Sequence, residues 1–449
     1  MSEVTTTTTT FLHANLVDGE HPARPDMAVV VAGNRIEAVG PSGPGGRPAA
    51  DPDRSDPGLR AGPPGPPHAT AGAGASGTVI DLSGRTLMPG MVSSHFHATY
   101  HELGTRPAPF GLEEPPALQA VRAVRNLEGV LRAGFTSAVS AGAPFAIDPA
   151  MRRAIAEGAV HGPRFVPGSR DVSTTGHVND AAPWYWELGG RGALRICDGP
   201  DEFRRGVRAE IREGARMIKL FATGGHGTVG PAERTEMTRD EMAAAVDTAH
   251  ERGARIRAHI ANRDAIAMAL DCGIDVIDHG DGMDDECLAR IVESATTVVP
   301  SAFFPFRLWK SLSGTTLGFT DALRHDLDQA MAWIVRANEA GVRLVIGDDY
   351  GATGFPHGIY GEELAFYVDV VGVPALDVLR WATRHGAEMM GRGHELGTVT
   401  PGKMADLVVV DGDPTTDIAV LADPARIVAV MKDGRFMTGP WSEVPDQSH

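Results

Sequence analysis

The chain has 449 residues, of which 42% are hydrophobic and 22% are charged, close to the usage of ordinary globular proteins. It can therefore bury a sizeable core, and its length permits one large catalytic domain with a smaller one beside it. The formal net charge of −17 disfavours nucleic acid and anionic lipid as sequence-independent partners.

The cysteines and the N-terminus bear on the compartment. Cys197, Cys272 and Cys287 lie far apart and form no CxxC pair, which argues against a disulfide framework and against a thiolate zinc site. No basic segment followed by an apolar one opens the chain, and no uncharged apolar run of about 18 residues occurs. We expect a cytoplasmic protein without a membrane span that acts on a small molecule or a peptide; a homo-oligomer stays open.

The first predicted element is a hairpin. Residues 27–40 (MAVVVAGNRIEAVG) form two short apolar runs around Gly33-Asn34, a typical turn dipeptide of tight hairpins when Gly or Asn must take positive φ. Residues 41–78 then hold 9 Pro and 9 Gly among 38 residues, with Leu59 as the only large aliphatic side chain. Such a segment buries too little surface to offset its chain entropy, so we predict a disordered insertion.

The C-terminal part of the chain has the same strand-rich character as the N-terminal part. Short β-branched runs occur at residues 407–410, 427–431 and 435–437. Because strand-rich ends flank a long middle of different pattern, we predict one small β-sandwich domain built from residues 8–88 and 394–440.

Between the ends, at residues 89–393, short apolar runs alternate with helical stretches. The strand candidates are residues 88–94, 136–140, 164–168, 217–222, 255–259, 276–279, 297–301 and 343–347. The clearest helix, residues 238–252, begins with the capping box Thr238-x-x-Glu241 and ends at Gly253. Eight strands with intervening helices predict an α/β fold, a (β/α)8 TIM barrel; a doubly wound sheet is the alternative on pattern alone.

Two histidines follow the first strand candidate of the barrel. In an extended segment His95 and His97 project from the same face, so both imidazoles can converge on one ion. An isolated HxH is also compatible with two partly exposed histidines, so its meaning depends on residues further along the chain.

Lys219 lies inside the apolar run 217–221, where an unpaired ammonium would be costly to bury. One interpretation is a lysine paired with an acid that the sequence does not identify. The other is that Lys219 reaches the barrel mouth and is carboxylated, which makes it a bridging ligand between two metal ions.

Three further candidates lie at the ends of later strands. His259 and His279 end successive strands, and Asp348-Asp349 follows the last one. Each could be structural: a histidine with a buried partner, or an acid capping the next helix. Because the C-terminal ends of barrel strands share one mouth, the whole set predicts a site of nitrogen and oxygen ligands, suited to Zn²⁺, Mn²⁺, Fe²⁺ or Co²⁺.

With these motifs in place, the sequence resembles the amidohydrolase superfamily, in the carboxylated-lysine branch that contains Xaa-Pro dipeptidases and imidazolonepropionase-like enzymes. The resemblance extends over nearly the whole chain. The matching segments are GRTLMPGMVSSHFH (84–97), MIKLFATGG (217–225), RAHIANRDAIAMALDCGIDVIDHG (257–280), VIGDDYG (345–351) and LGTVTPGKMADLVVVDGDP (396–414).

The resemblance implies a role for each ligand candidate. His95, His97 and Asp349 would hold one metal ion, His259 and His279 the other, and a carboxylated Lys219 would bridge them. The family usually has Gly-Thr-Asp at the last strand, whereas this chain has Gly347-Asp348-Asp349; register favours Asp349 as the catalytic residue, with Asp348 as the alternative.

The reaction that the resemblance implies is hydrolysis of an amide or peptide-like C–N bond by a metal-bridging hydroxide, with Asp349 as base and then acid. The whole-chain likeness extends to amidohydrolases of natural-product biosynthesis, including one that removes the follower peptide from the macrocyclic bottromycin precursor. Xaa-Pro-type dipeptidase and cyclic-amide hydrolase activities are alternatives within the same chemistry.

Substrate contacts are expected from loops above the barrel mouth. His177 and His226 follow the third and fourth strand candidates and could bind a carbonyl or carboxylate, although loop histidines are also often solvent-exposed. Trp184, Tyr185 and Trp186 could line a pocket for a bulky substrate or simply pack the loop.

Three competing functions remain open on the sequence. Residues 225–230 match GxGxxG, but a dinucleotide site also requires that motif to open a helix, whereas Pro231 and a polar run follow. A catalytically silent binding protein is disfavoured because such relatives usually lose ligands. A deaminase is disfavoured because deaminases of this superfamily generally use one metal and lack the bridging lysine.

Overall fold

The computed structural model describes residues 7–43, 77–105, 108–180, 182–183, 185, 192–226, 228, 230–313 and 320–442. The strands are β1 (Thr8–Leu16), β2 (Arg24–Ala32), β3 (Arg35–Pro41), β4 (Gly77–Asp81), β5 (Arg85–Pro89), β6 (Met91–Phe96), β7 (Phe135–Ser140), β8 (Arg164–Val166), β9 (Gly168–Ser173), β10 (Leu194–Ile196), β11 (Met217–Phe221), β12 (Arg255–Ile260), β13 (Val276–His279), β14 (Thr297–Val299), β15 (Leu407–Asp411), β16 (Ile427–Lys432) and β17 (Arg435–Thr438).

The helices lie mostly between the strands of the central part. They are α1 (Pro116–Arg132), α2 (Ile147–Ala156), α3 (Pro200–Glu213), α4 (Arg239–Glu251), α5 (Arg263–Cys272), α6 (Asp285–Glu293), α7 (Phe303–Leu312), α8 (Thr320–Glu339), α9 (Tyr360–Ala365), α10 (Ala375–Arg380) and α11 (Gly386–Met389). Single π-helical turns at Phe366–Val370 and Trp381–His385 follow α9 and α10, and 3₁₀ turns lie at Ile418–Ala422 and Pro424–Arg426. Among the described helices, none is long and apolar enough to cross a membrane.

The two chain ends form one domain, as predicted. Its strands are hydrogen-bonded into a single sheet in the order β17-β16-β15-β5-β1-β2-β3, with β4 paired to β1. The sheet curls around its own core, because Phe11 of β1 and Phe436 of β17 lie with ring centroids 6.2 Å apart. Ala405 ties the two sheet edges together, since its N–H donates to Asn34 and its carbonyl accepts from Gly434.

Both edges of the predicted insertion, residues 41–78, belong to strands. Residues 44–76 lie outside the described part of the chain. Pro41 ends β3, whereas Gly77 and Thr78 begin β4 and pair with Thr8 and Thr9 of β1. The prediction was wrong at these edges because backbone pairing with β1 does not require large apolar side chains.

The central part is the predicted (β/α)8 barrel. Parallel pairing joins β6 to β7 and β7 to β8, and it joins β9 to β11, β12, β13 and β14 in turn. Pro167, which has no N–H, separates β8 from β9, so these two segments share one barrel position.

The eighth barrel position is residues 343–347, which form no regular strand. Val345 donates its N–H to Val298 at 3.1 Å, and Ser94 donates to Ile346 at 2.8 Å. The segment therefore lies between β14 and β6, although the strand ladders themselves leave the sheet unclosed. A complete strand here was predicted wrongly, because Gly347, at φ 137°, turns the chain after only a few contacts.

Alternation along the strands separates the barrel interior from the helix-packed exterior. Ile218, Leu220 and Ile256 face outward into the main core under the helices. A separate apolar cluster contains one residue from each of several barrel positions, namely Val92, Val139, Met217, Val276, Val299 and Val345, with Met389. These side chains fill the lower interior, so the polar residues one step further along each strand lie above an apolar floor.

Helix α4 begins as the sequence predicts. The Thr238 hydroxyl accepts from the Glu241 N–H, and the Glu241 carboxylate accepts from the Thr238 N–H. Gly253 follows the helix at φ 68°. This reciprocal cap satisfies two backbone donors and fixes where the loop above β11 ends.

We expect Gly347→Ala to destabilise the barrel by about 2–4 kcal/mol. A Cβ at Gly347 would lie 2.2 Å from the backbone N of His95, so the last barrel segment would have to move away from β6. Urea unfolding monitored by circular dichroism measures the change. Gly341→Ala is the matched control, since Gly341 also has positive φ but a Cβ added there would have no atom within 4 Å; equal losses in the two variants would contradict the contact argument.

Candidate metal centre

His95 and His97 enter the barrel mouth because the end of β6 is irregular. The register between β6 and β7 shifts between Ser93 and Phe96. Phe96 packs outward against Tyr360, at 6.2 Å between ring centroids, and the flanking histidines therefore point inward.

The two histidines meet Asp349 from the far side of the mouth. The Asp349 Oδ1 atom lies 3.1 Å from His95 Nε2 and 3.2 Å from His97 Nε2. His97 Nδ1 donates to the Gly142 carbonyl at 3.0 Å, and its ring stacks on Tyr100 at 3.8 Å. The hydrogen bond places the His97 proton on Nδ1, so the Nε2 lone pair is free to bind an ion.

Burial and mutual contacts keep these groups in the protonation state that ligands need. Burial lowers the pKa of His97 to about 4. Burial raises the pKa of Asp349, but contacts with His95 and His97 outweigh it and leave that pKa well below its ordinary value. At neutral pH His97 is therefore an unprotonated imidazole and Asp349 a carboxylate, as metal binding requires.

His259 and His279 lie on the neighbouring wall, at the ends of β12 and β13. Their ring centroids are 4.4 Å apart, and burial lowers both pKa values well below that of free histidine. His279 has φ 71°, which interrupts strand alternation and lets the His279 ring and the Asp278 carboxylate both face inward.

Two buried nitrogens in this pair lack a hydrogen-bond partner among the described residues, His259 Nε2 and His279 Nδ1. Such atoms are rare in folded proteins and call for a bound water or ion. The ligand atoms of His95, His279 and Asp349 all lie within 4.8 Å of one another. Nitrogen and carboxylate donors at this spacing, with unpartnered nitrogens beside them, fit a divalent transition-metal ion.

Lys219 lies next to this group. Its Nζ donates to Asp278 Oδ2 at 2.6 Å, and its aliphatic chain passes Gly142. If Lys219 is a structural lysine paired with an acid, that acid is Asp278. The Oδ1 atom of Asp278 lies 3.3 Å from His95 Nδ1.

The adjacent acids Asp348 and Asp349 face different surroundings. Asp348 is fully buried, and its carboxylate accepts from the backbone N–H groups of Asp349 and Phe304. Burial, together with the nearby Glu363 and Asp349 carboxylates, raises its pKa. Only Asp349 of the two contacts the histidines.

The residues predicted to contact substrate differ in how deeply they are buried. His177 is buried beside Phe221, at 4.6 Å between rings; its Nδ1 accepts from the Asn179 N–H, and its Nε2 has no partner among the described residues. Burial lowers the pKa of His177 to about 4. Tyr185 is 68% exposed, and Trp184 and Trp186 lie outside the described residues.

His226 is occupied on both nitrogens. Nδ1 lies 2.8 Å from Asp281 Oδ1, and Nε2 lies 3.1 Å from the Ser301 carbonyl. Its ring stacks on His279 at 3.8 Å, while Phe221 stacks on His259 at 4.0 Å. In this arrangement His226 packs against a candidate ligand, and both of its nitrogens contact oxygen atoms of the protein.

The competing GxGxxG motif does not open a helix. After Gly230, turns and a short bridge lead to α4, which begins only at Arg239. A dinucleotide phosphate would have no helix N-terminus to bind at this motif.

Several residues of the mouth were missed by sequence reasoning. Arg257, Asp278 and Asp171 are buried in or beside it, and Tyr100 is partly buried there. For Arg257 a signal existed, since it precedes His259 by two residues in β12 and so shares its face. The same alternation places Asp278 inward, since it follows the interior Val276 by two residues and pairs with His259; His279 is the residue that reaches the interior only through its positive φ.

The chain is similar to known proteins over most of its length. The sequence profile of the amidohydrolase family matches residues 86–437. Ochratoxinase of Aspergillus niger is 27% identical over 381 residues, which cover 80% of this chain and 77% of that protein. Imidazolonepropionase of Cutibacterium acnes is 26% identical over 431 residues, 92% of this chain and 90% of that one.

Solved structures show the same fold. The crystal structure of A. niger ochratoxinase has a TM-score of 0.82 at 23% identity and covers 98% of each chain. A prolidase complexed with N-methylphosphonate-L-proline has a TM-score of 0.78 at 28% identity, covering 96% of this chain and 99% of that one. The chain belongs to the amidohydrolase family and is a hydrolase that acts on carbon–nitrogen bonds.

Proposed function

We propose that this protein is a metal-dependent hydrolase of a peptide-like amide, with its site at the barrel mouth. The observation that carries the proposal is the convergence of His95, His279 and Asp349 beside buried nitrogens that lack a partner among the described residues. The similar proteins named as ochratoxinase and prolidase support an amide or peptide bond as the target.

The proposed ligand set is His95, His97, Lys219, His259, His279 and Asp349. Zinc is the first candidate, with Mn, Fe and Co as others, because the donors are imidazole and carboxylate without thiolate. When bound, the ion supplies an acidified water and polarises the carbonyl of the scissile bond. A carboxylated Lys219 would contribute two carboxylate oxygens, and its remaining N–H would keep the contact with Asp278.

The chain's own chemistry centres on Asp349. Its Oδ1 is held between two imidazoles, and the depressed pKa makes it a carboxylate at neutral pH that can accept a proton from the attacking water. Returning that proton to the leaving nitrogen completes the hydrolysis, because an amine leaves poorly without protonation. His97, oriented by Gly142 and Tyr100, presents its Nε2 atom to the same position, 3.2 Å from Asp349 Oδ1.

The substrate end of the site involves His177. Since its Nδ1 accepts a backbone hydrogen bond, its proton is on Nε2, which is the unpartnered atom. That N–H could donate to a carbonyl or carboxylate of the substrate.

Two narrower proposals lie within the peptide-like amides. One is removal of a follower peptide from a macrocyclic precursor in natural-product biosynthesis, and the other is cleavage of Xaa-Pro dipeptides.

Metal analysis tests the centre itself. Protein prepared with bicarbonate should contain one or two equivalents of transition metal. If the free metal concentration is about 100 times Kd, removing the metal with a chelator should lower the free energy of unfolding by about 2.7 kcal/mol. His259→Ala should lower the metal content, whereas His250→Ala should not, since the His250 ring pairs with Asp275 at the surface. Metal-free protein with unchanged melting temperature after chelation would refute the proposal.

A substrate screen tests the reaction. Dipeptides including Xaa-Pro, N-acyl amino acids and a macrocyclic peptide amidine with a C-terminal extension should reveal hydrolysis of at least one amide. Asp349→Asn should reduce kcat by about 10²–10⁴.

Asp348→Asn is the paired control for that screen. It should chiefly lower the melting temperature. Both carboxylate oxygens accept a backbone N–H, so the NH₂ group of an asparagine would have to face one of these two donors. Release of ammonia alone from amidine rings would favour a deaminase, and an active Asp349→Asn with an inactive, folded Asp348→Asn would reverse the two roles.

Carboxylation of Lys219 has a direct spectroscopic test. Protein prepared in ¹³C-bicarbonate should give a carbamate carbon signal that disappears in Lys219→Ala. Short carboxylic acids should partly restore activity to that variant by supplying the missing oxygens. Lys432→Ala is the control, since Lys432 is a partly buried lysine that donates to Gly162 far from the mouth; full activity of Lys219→Ala would contradict a bridging lysine.

A further inference from the structure

A buried arginine lies directly beneath the histidines. Arg257 is fully buried and projects inward from the middle of β12, two residues before His259. A guanidinium is always charged and is costly to bury without partners. Nothing in the proposed hydrolysis uses it, so its contacts need an explanation.

Arg257 crosses the barrel. Its Nη1 donates to the carbonyls of Ser94 at 2.8 Å and Ser140 at 3.2 Å, which belong to β6 and β7. Since β12 is the fifth barrel position and β6 the first, these contacts span the interior from one wall to the other. They hold the backbone immediately before His95.

The rest of the guanidinium contacts Asp278 and His95, whose Nδ1 lies 3.1 Å from Nη2. Nε donates to Asp278 Oδ2 at 2.9 Å, and Nη2 contacts Oδ1. The same carboxylate accepts from Lys219 Nζ and lies near His95 Nδ1. Asp278 thus joins one candidate ligand from β6 to another from β11, and Arg257 fixes the carboxylate that joins them.

The protonation of His95 follows from which nitrogen faces the site. His95 Nε2 is the atom near Asp349 and His97. Coordination through Nε2 requires the proton to be on Nδ1, where Asp278 Oδ1 at 3.3 Å is the acceptor. Arg257 Nη2, a donor 3.1 Å from the same nitrogen, favours the opposite tautomer, so Asp278 has to replace Arg257 as the partner of Nδ1 when an ion is bound. A carboxylate behind a ligating histidine fixes its tautomer and ring orientation.

We propose that Arg257 and Asp278 are positioning residues of the metal centre. Asp278 sets the direction of the His95 ring and of the Lys219 side chain, and Arg257 holds Asp278 and the ends of β6 and β7. Neither residue ligates the ion, because their polar atoms are engaged with each other and with the backbone. This inference rests on the proposed metal-dependent function.

The alternative is that the pair only stabilises the barrel. Arg170 and Glu210 provide a matched comparison, since they form an equally buried pair, at 2.7 Å between Nη2 and Oε1, on the outer side of β9. Loss of either pair should weaken folding. Only loss of the Arg257 pair should change how the metal is held.

The test is zinc affinity, measured on metal-free full-length protein by competition with a chromophoric chelator, together with the visible spectrum of the Co²⁺ form. Asp278→Asn and Arg257→Met should each weaken zinc binding by about 10- to 100-fold, reduce the rise in melting temperature caused by zinc, and alter the Co²⁺ spectrum. Arg257→Lys should retain more affinity than Arg257→Met. Arg170→Met should lower the melting temperature with and without zinc alike and leave affinity unchanged.

The double variant Arg257→Met/Asp278→Asn guards against misfolding, because it removes one positive and one negative charge together, and the new amide oxygen can still accept from Lys219 Nζ. It should fold and still bind zinc weakly. Zinc affinities within twofold of the wild type in these variants would overturn the positioning role. If the wild-type chain itself binds no zinc, the proposed function fails, and this inference fails with it.

Discussion

The structure depends on how buried charge is compensated inside the barrel. Lys219, Arg257 and Asp278 lie between an apolar floor and the histidines of the mouth, and all three are almost completely buried. Charges in such a place persist only when they contact one another or backbone carbonyls with good geometry. The resulting contacts reach β6, β7, β11, β12 and β13, so the same network that compensates the charges also links the strands that carry the candidate ligands.

Irregular backbone at the strand ends is the second constraint. His279, Ser301 and Gly347 all have positive φ, and the β6 register shifts just before His95. Each irregularity ends the regular hydrogen bonding of a strand and changes the direction of the chain at the mouth. A strained backbone conformation persists only where the packing around it holds the chain in place. Here the packed lower barrel and the loops above it provide that packing.

The sheet domain contacts the barrel at the end opposite the site. Gly90 donates its N–H to Asp406, and Arg164, which begins β8, forms ion pairs with Asp406 and Asp433. These contacts join the first strand segments of the barrel to the C-terminal strands. The shared fold of ochratoxinase and the prolidase extends over both parts, so the composite domain is part of the family architecture.

The sequence by itself determined the barrel, the composite domain and the placement of Lys219 and His259, because alternation within a regular strand fixes which face a side chain takes. It also predicted the α4 cap, whose partners are three residues apart. Only the tertiary structure decided which of Asp348 and Asp349 meets the histidines, that Asp278 is the partner of Lys219, and that Gly77 and Thr78 belong to a strand. The His95 to Asp278 contact joins residues 183 positions apart. Such pairings depend on how the strands close around the barrel and on single residues with positive φ, and spacing along the chain carries no information about either.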